Sequence, residues 1–455
     1  MPQATKNQDI AHKFLQHQRF RKNLLYCKGW DTFYIYTDGW YEGYEPNDFR
    51  EMVWEFIQEH YPDINVRSSL ITDIYQQIKW GAYRKVDSIN TPYVAFKDKL
   101  YNLNKFEWEE FDRQKIAVHR INFDSKEIDM PIPKFEEFLN TTIIQDNGRT
   151  DDDLIDLVQE MFGYYLLNNL KAQTVFFLVG KGANGKSVMV SIIEKMIGTK
   201  FVSAMSIQAL TLNQFATSAL IGKKINICNE EESKFLRSDK FKALVSGDLI
   251  QAERKHEQQF AFRPITKYLF ASNQLPTFEG INYGIRRRMI ILPFKKVFSG
   301  AEQNRNLSEE LLKELPGIVN WAIIGAKRLV KNNYQFSETK ASYESREDFE
   351  NITSSALYFF RHNFVADKDG IIPNEDLYKE YREWCEENGK RPMSSISFHR
   401  DITVNLDILS ETVWVAGKAV RGKKCSRQRD IVPDEVREVE ELLKDEDECE
   451  PKLQL

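Results

Sequence analysis

The 455 residues are too many for one hydrophobic core, and 42% apolar with 29% charged is the balance of a soluble, several-domain protein. No apolar run reaches the ~20 residues of a membrane span, the start Met1-Pro2-Gln3-Ala4-Thr5-Lys6 lacks a signal-peptide core, and five scattered cysteines exclude a disulfide frame or zinc finger and suit a reducing cytoplasm. The net charge of −5 is uneven: residues 434–450 hold ten acids against two bases, just after five bases in the nine residues 421–429, a pattern compatible with nucleic acid on one surface.

Residues 1–28 are polar and basic with helical spacing at Ala11, Phe14, Leu15, Phe20, Leu24 and Leu25. Strand-like stretches Thr32–Tyr36 and Trp40–Tyr44 flank Asp38-Gly39, a hairpin signal. A helix follows over 47–60, with Asn47-Asp48 as its expected cap, then another over 68–80. Tyr93–Phe96 and Lys99–Asn102 read as strands. No metal or nucleotide constellation occurs in residues 1–130, which read as an α+β accessory or collar domain.

Residues 131–170 have helical spacing and deliver the chain to an apolar strand, Thr174–Val179. That strand leads into Gly180-Lys181-Gly182-Ala183-Asn184-Gly185-Lys186-Ser187, followed by an amphipathic helix. Strand, glycine-rich turn and helix are the context of a phosphate-binding loop. Its backbone N–H groups and the helix N-terminus would face a triphosphate. Lys186 would reach the β- and γ-phosphates, and Ser187 would hold magnesium. The expected cofactors are therefore ATP and Mg2+, with Gly180, Gly182, Ala183, Asn184, Gly185, Lys186 and Ser187 lining the site.

The next apolar strand, Lys224–Cys228, ends at Asn229-Glu230-Glu231-Glu232. Carboxylates at the C-terminal end of a strand beside the phosphate loop suit metal binding and water activation. Glu230 is assigned to the metal and Glu231 to the water, with a shift of one residue left open. A third strand, Lys267–Ser272, ends in Asn273, placed to sense the γ-phosphate without adding charge. Arg286-Arg287-Arg288 then enters the apolar run Met289–Phe294. An arginine there could stabilise the charge of the transferring phosphoryl group from a neighbouring subunit.

In this order the motifs resemble the superfamily 3 helicases, specifically the phage/plasmid primase-helicase family related to poxvirus-type helicases. The resemblance rests on the loop at 180–187, the strand ending at 229–232, Lys242-Ala243-Leu244-Val245-Ser246-Gly247-Asp248, and Ser272–Pro276 followed by Gly284–Phe294. It implies an AAA+-like α/β motor over 171–335 with a central, mostly parallel sheet. It implies a hexameric ring moving 3′ to 5′ on DNA at the replication origin of a phage, plasmid or mobile element, in the cytoplasm of a bacterial host. It also implies a hairpin over Ile250–Phe260 whose Arg254, Lys255 and His256 grip a single strand in the channel. The family pattern matches Arg287 and Arg288, one of which would be the finger, and leaves Arg286 as an extra charge. Where the family commonly has Thr-Gly-Gly-Asp, this chain has Val245-Ser246-Gly247-Asp248. No primase is recognised before the motor, so any primase would be a separate polypeptide. An initiator that uses ATP only to assemble is the alternative, and a protein-remodelling AAA+ machine is a third.

Residues 336–350 read as a linker or exposed helix. Beyond them, 351–432 suggest helices at Ser354–Asn363, Asn374–Asn388 and Ser394–Val404, then two strands from Asp407 to Val420 around Ala416-Gly417. Three helices and a two-stranded wing are the winged-helix plan. The third helix would read origin duplex, with Lys418, Arg421, Lys423 and Lys424 on the wing and its exit holding phosphates. A basic protein-docking module is the other reading. The tail, 433–455, is either plain disorder or an acidic mimic of DNA over the basic patch.

Overall fold

The computed structural model describes residues 3–229, 236–254, 259–273, 278–279, 283–415 and 418–428. The expected Glu230, Glu231, Lys255, His256, the Ala416-Gly417 turn and the acidic tail lie outside those residues. The chain divides into two compact units, Met1–Glu279 with Arg287–Arg346, and Gly280–Arg286 with Glu347–Leu455. Among the described residues no helix is long and apolar enough to cross a membrane.

The first unit is a mixed α/β structure whose centre is a five-stranded, wholly parallel sheet. Its spatial order is Met289–Pro293, Val175–Val179, Lys267–Ser272, Ile225–Asn229, Val202–Ser203. Strands buried on both faces need continuous apolar runs, and Val175 to Leu178 are all fully buried. The register is close: Ser272 and Pro293 both pair with Val179, and Asn229 pairs with Ala271. The short fifth strand is held by Asn226, fully buried, which accepts from Ser203 Oγ and the Met205 N–H, each at 2.9 Å.

One face of the sheet carries a close helix pair, Asp152–Leu166 and Leu315–Lys331. Gly163 and Gly325 let the two backbones touch, because a Cβ on Gly163 would lie 2.1 Å from the Ala326 nitrogen. Fully buried Glu160 locks the pair: it accepts from Arg328 Nε at 2.9 Å and from the Ser337 N–H and hydroxyl, both at 2.8 Å. The helical region over 131–170 consists of two helices, Pro133–Thr142 and Asp152–Leu166, with Asp151 capping the second by accepting from the Leu154 N–H.

Two lysines begin adjacent strands beneath the sheet, at the end opposite the phosphate loop. Lys224 Nζ donates to the Leu166 carbonyl at 2.6 Å and to Asn168 Oδ1 at 2.7 Å, and Lys267 Nζ donates to the Leu167 carbonyl at 2.5 Å. They complete the C-terminal carbonyls of the Asp152–Leu166 helix, where cations are favoured. Burial pushes Lys224 well below the ordinary lysine range and Lys267 down to about 7.

The N-terminal residues form their own sheet, ordered Trp40–Tyr44, Thr32–Thr37, Leu24–Cys27, Arg84–Val86. Its hairpin turns at Asp38 and Gly39, with φ of 44° and 87°, the left-handed pair a two-residue turn requires. The helix after it runs Pro46–His60, so its cap is Glu45 with Pro46 in the first turn, not Asn47-Asp48. Phe14, Phe33, Phe49 and Tyr75 fill a separate core here.

In the second unit, helices Ser355–Asn363, Asn374–Glu387 and Ser395–Leu406 surround Phe359, Tyr381 and Phe398. A three-stranded antiparallel sheet, ordered Ile372–Pro373, Lys418–Lys423, Ser410–Val415, completes it. Residues 340–353 are helical.

Two outcomes test this packing. Glu160→Ala strands the Arg328 Nε donor and two Ser337 donors while Arg328 keeps Asp156, and should cost about 3 kcal/mol in urea unfolding, whereas an exposed Glu→Ala is expected to be near neutral. Because Lys267 binds fewer protons folded than unfolded between about pH 7 and its ordinary range near 10.5, its linkage makes stability rise with pH across that window. Lys267→Met should flatten that rise in a stability–pH profile while leaving the slope below pH 6 unchanged.

Candidate functional site

The phosphate loop is built by its two flanking elements. Val175–Val179 ends at Gly180, and the helix Lys186–Ile197 starts from Gly185, whose φ of 87° is left-handed. A Cβ there would also lie 2.9 Å from Thr142 Cγ2 and 3.2 Å from Phe138 Cε2, so the preceding helix backs the loop directly. The exit of Met289–Pro293 closes on it from the side: Asn184 Nδ2 donates to the Phe294 carbonyl at 3.4 Å, and the Phe298 N–H to the Ala183 carbonyl at 2.8 Å. The Lys186 ammonium folds over the loop onto the Gly180 carbonyl and, at 3.2 Å, onto Asn184 Oδ1. Burial lowers its pKa from the ordinary lysine value. Gly182, Ala183 and Ser187 are exposed, Gly185 is half-buried, and Asn184 and Lys186 form the buried floor.

Adjacent strands bring further residues to the same edge. The Gly180 N–H approaches the Ser272 carbonyl at 3.4 Å, so exposed Asn273 follows directly beside the loop. Asn229 ends the next strand, and the chain leaves the described residues there, before Glu230 and Glu231.

The arginines lie elsewhere. The Arg288 carbonyl accepts from the Val175 N–H at 2.7 Å, which puts Arg287 and Arg288 at the start of the strands. Five residues at ~3.3 Å each separate that edge from the loop, about 16 Å. Arg288 is buried and donates from Nε and Nη2 to Ser246 Oγ at 3.1 and 2.8 Å, and from Nη2 to Gln173 Oε1 at 3.2 Å. Burial, with the charge of Arg287 beside it, lowers its pKa. Arg287 is exposed. Ser246 belongs to the Ser246-Gly247-Asp248 element, which ends the helix Ser238–Ser246: the Gly247 and Asp248 N–H groups return to the Leu244 and Ala243 carbonyls.

The expected hairpin has its two strands, Ile250–Ala252 and Phe260–Phe262, paired antiparallel. Arg254 does not stand free on it. Its guanidinium donates to the Trp30 carbonyl at 3.1 Å, lies 3.8 Å from Asp31 and 4.0 Å from Glu45, and sits 5.1 Å from the Phe260 ring centre. Burial pushes the Asp31 carboxyl up, but hydrogen bonds from Lys79 and Tyr26, with the Arg254 charge, hold it below the ordinary range. On the other hairpin strand, Trp30 Nε1 donates to the Arg263 carbonyl at 3.4 Å. These partners were missed because nothing local to Arg254 points to residues 30–45.

In the second unit, Lys418 and Arg421 are exposed, as expected of the wing. Lys423 is buried and donates to Thr403 Oγ1 and, at 2.9 Å, to Ser410 Oγ. Lys424 is held by the Lys368 carbonyl at 2.8 Å and Glu411 at 2.6 Å. Neither presents a free cation, which corrects the expectation for both. Arg286 donates to the Asn405 carbonyl. The exposed residues of the helix Ser395–Leu406 include Ser395, Ile396, Arg400 and Val404.

Comparisons with known proteins fall on these regions. Residues 178–288 match a family of unknown function, DUF5906, and residues 353–432 match the Poxvirus D5 protein-like family. A putative helicase, L207/L206, of Acanthamoeba polyphaga mimivirus is 25% identical over 184 residues, 38% of this chain and 19% of that protein. Putative helicase 121R of Invertebrate iridescent virus 3 is 23% identical over 302 residues, 57% of this chain and 31% of that one. The chain thus spans under a third of either relative, and its likeness is to viral helicase-type proteins. Among solved structures, the apo A form of the NrS-1 C-terminal region aligns at 15% identity and a TM-score of 0.46, covering 91% of this chain and 98% of that one.

Gly185→Ala puts a methyl on Thr142 in a left-handed conformation. It should lower stability by about 1–3 kcal/mol in chemical unfolding without nucleotide.

Proposed function

We propose that the chain is an ATP-hydrolysing helicase motor of superfamily 3 type, with an AAA+-like core and a winged-helix C-terminal unit, working as a homo-oligomeric ring on the DNA of a virus or other mobile element. The observation that carries this reading is the division of the sheet into two ends. The phosphate loop and Asn273 share one edge, while exposed Arg287 occupies the other, about 16 Å away. Arg287 is too far to serve its own loop, which suits a site completed by a neighbouring subunit.

In that site the loop N–H groups and Lys186 hold the triphosphate, and its ammonium exchanges the Gly180 carbonyl and Asn184 for phosphate oxygens. Magnesium, held by exposed Ser187 and by Glu230, would neutralise charge on the β- and γ-oxygens when bound. Glu231 orients the attacking water, and Asn273 hydrogen-bonds the γ-phosphate. The neighbour's Arg287 meets the charge that develops on the transferring group. Arg288, committed to Ser246 and Gln173, holds the segment rather than reaching out. Lys255 and His256 would contact the strand, and Arg254 fastens the hairpin just past the end of its first strand.

A second reading is favoured by the fastening of Arg254 to residues 30–45: an initiator that assembles with ATP and does not unwind processively. A forked-duplex unwinding assay separates the two. Strand separation that needs ATP and fails in Lys186→Ala supports the motor; ATP-dependent assembly with no unwinding supports the initiator.

Arg287→Ala should reduce ATP turnover by about 10³ or more and depress hydrolysis when mixed into wild-type assemblies. Arg288→Ala should instead lower the unfolding midpoint. The opposite pattern would show Arg288 to be the finger.

A further inference from the structure

The wing of the second unit has a face that duplex reading leaves unused. In the antiparallel pairing, Trp414 lies opposite Ala419 and Thr412 opposite Arg421, so these four side chains share one face. All four are exposed, Trp414 at 76%. Ser410–Val415 is the edge strand, so the indole is not covered by another strand of its sheet. Small Ala419 and Thr412 leave room beside the ring. Exposed Arg421 stands two residues beyond that partner position on the same face, whereas exposed Lys418 falls on the other. Nearby Glu411 falls on the opposite face and is paired with Lys424.

We propose that this face binds unpaired DNA, with a base stacked on Trp414 and an adjoining phosphate on Arg421. An aromatic ring gains stacking contact only from a base whose face is free, which a closed duplex does not offer along its length. The Arg421 cation on the same face favours a polyanion over an apolar or basic peptide. The C-terminal unit would then hold a displaced strand or the fork itself, in addition to any duplex it reads. The inference shares the nucleic-acid half of the reading above but needs no ATP hydrolysis.

The test uses the full chain without nucleotide. A single-stranded oligonucleotide carrying 5-iodouracil is photocrosslinked and the product mapped by mass spectrometry, and binding is followed by fluorescence anisotropy. A crosslink within residues 410–421 is expected. Trp414→Ala should weaken single-strand binding about fivefold or more with little change on a blunt duplex, and Trp414→Phe should restore most of it. Arg421→Ala should reduce the salt slope by about one. Basal ATPase, measured without DNA, should be the same in Trp414→Ala and Trp414→Phe. Absence of the crosslink with unchanged affinity in Trp414→Ala overturns the proposal. So does an equal loss on single strand and duplex, which would mean backbone docking, or a loss of self-association alone, which would mean a protein interface. If Trp414→Ala misfolds, the wild-type crosslink decides. A crosslink in a protein that hydrolyses no ATP would leave this face standing and remove the motor.

Discussion

Parallel register is the constraint on which the first unit depends. Because all five strands run the same way, every residue that follows a strand arrives at one edge and every residue that precedes one at the other. Ser272, Val179 and Pro293 lie abreast, so the loop, Asn273 and the clasp from Phe294 are neighbours by topology alone. The same rule sends Arg287 and the buried lysines to the far end. Lys224 and Lys267 there bond the carbonyls that end the Asp152–Leu166 helix, which fixes the sheet to the helix pair packed on it.

Cations are the residues whose fate varies most. Lys186, Arg254, Arg288, Lys423 and Lys424 all read from the sequence as charges aimed at phosphates. Only the first sits in the glycine-rich loop. Arg254 and Lys424 are matched to carboxylates inside the chain, while Arg288 donates to the Ser246 hydroxyl and Gln173, and Lys423 to the Thr403 and Ser410 hydroxyls. Long basic side chains need desolvated heads to be paired or hydrogen-bonded. Those left exposed, Arg287, Arg400, Lys418 and Arg421, are the ones available to another molecule.

Local signals were well expressed in the sequence. Alternation and the Asp38-Gly39 turn gave the N-terminal hairpin, apolar runs gave the buried strands, and the three C-terminal helices begin within a residue of the expected Ser354, Asn374 and Ser394. The cap at Asn47-Asp48 was misplaced because Pro46 fits the first helical turn and starts the helix earlier. What sequence could not give is contact at long range: the Trp30 carbonyl that receives Arg254 is 224 residues earlier, and Gln173, which shares Arg288 with Ser246, belongs to no motif. Glu230, Glu231, Lys255 and His256 lie outside the described residues, and their roles stay as the sequence reading left them.

The joint at Trp30 has a mechanical consequence. Its carbonyl takes Arg254 on one hairpin strand and its indole N–H reaches the Arg263 carbonyl beyond the other, so both sides of the hairpin are fastened to one point of the N-terminal sheet. A hairpin that tilts far enough to advance along a strand must carry that sheet with it, or exchange these bonds for water on every stroke. If the chain is the motor proposed above, the N-terminal residues would in the first case be the load it swings, and in the second the joint would be a ratchet tooth that slips and re-engages once per step.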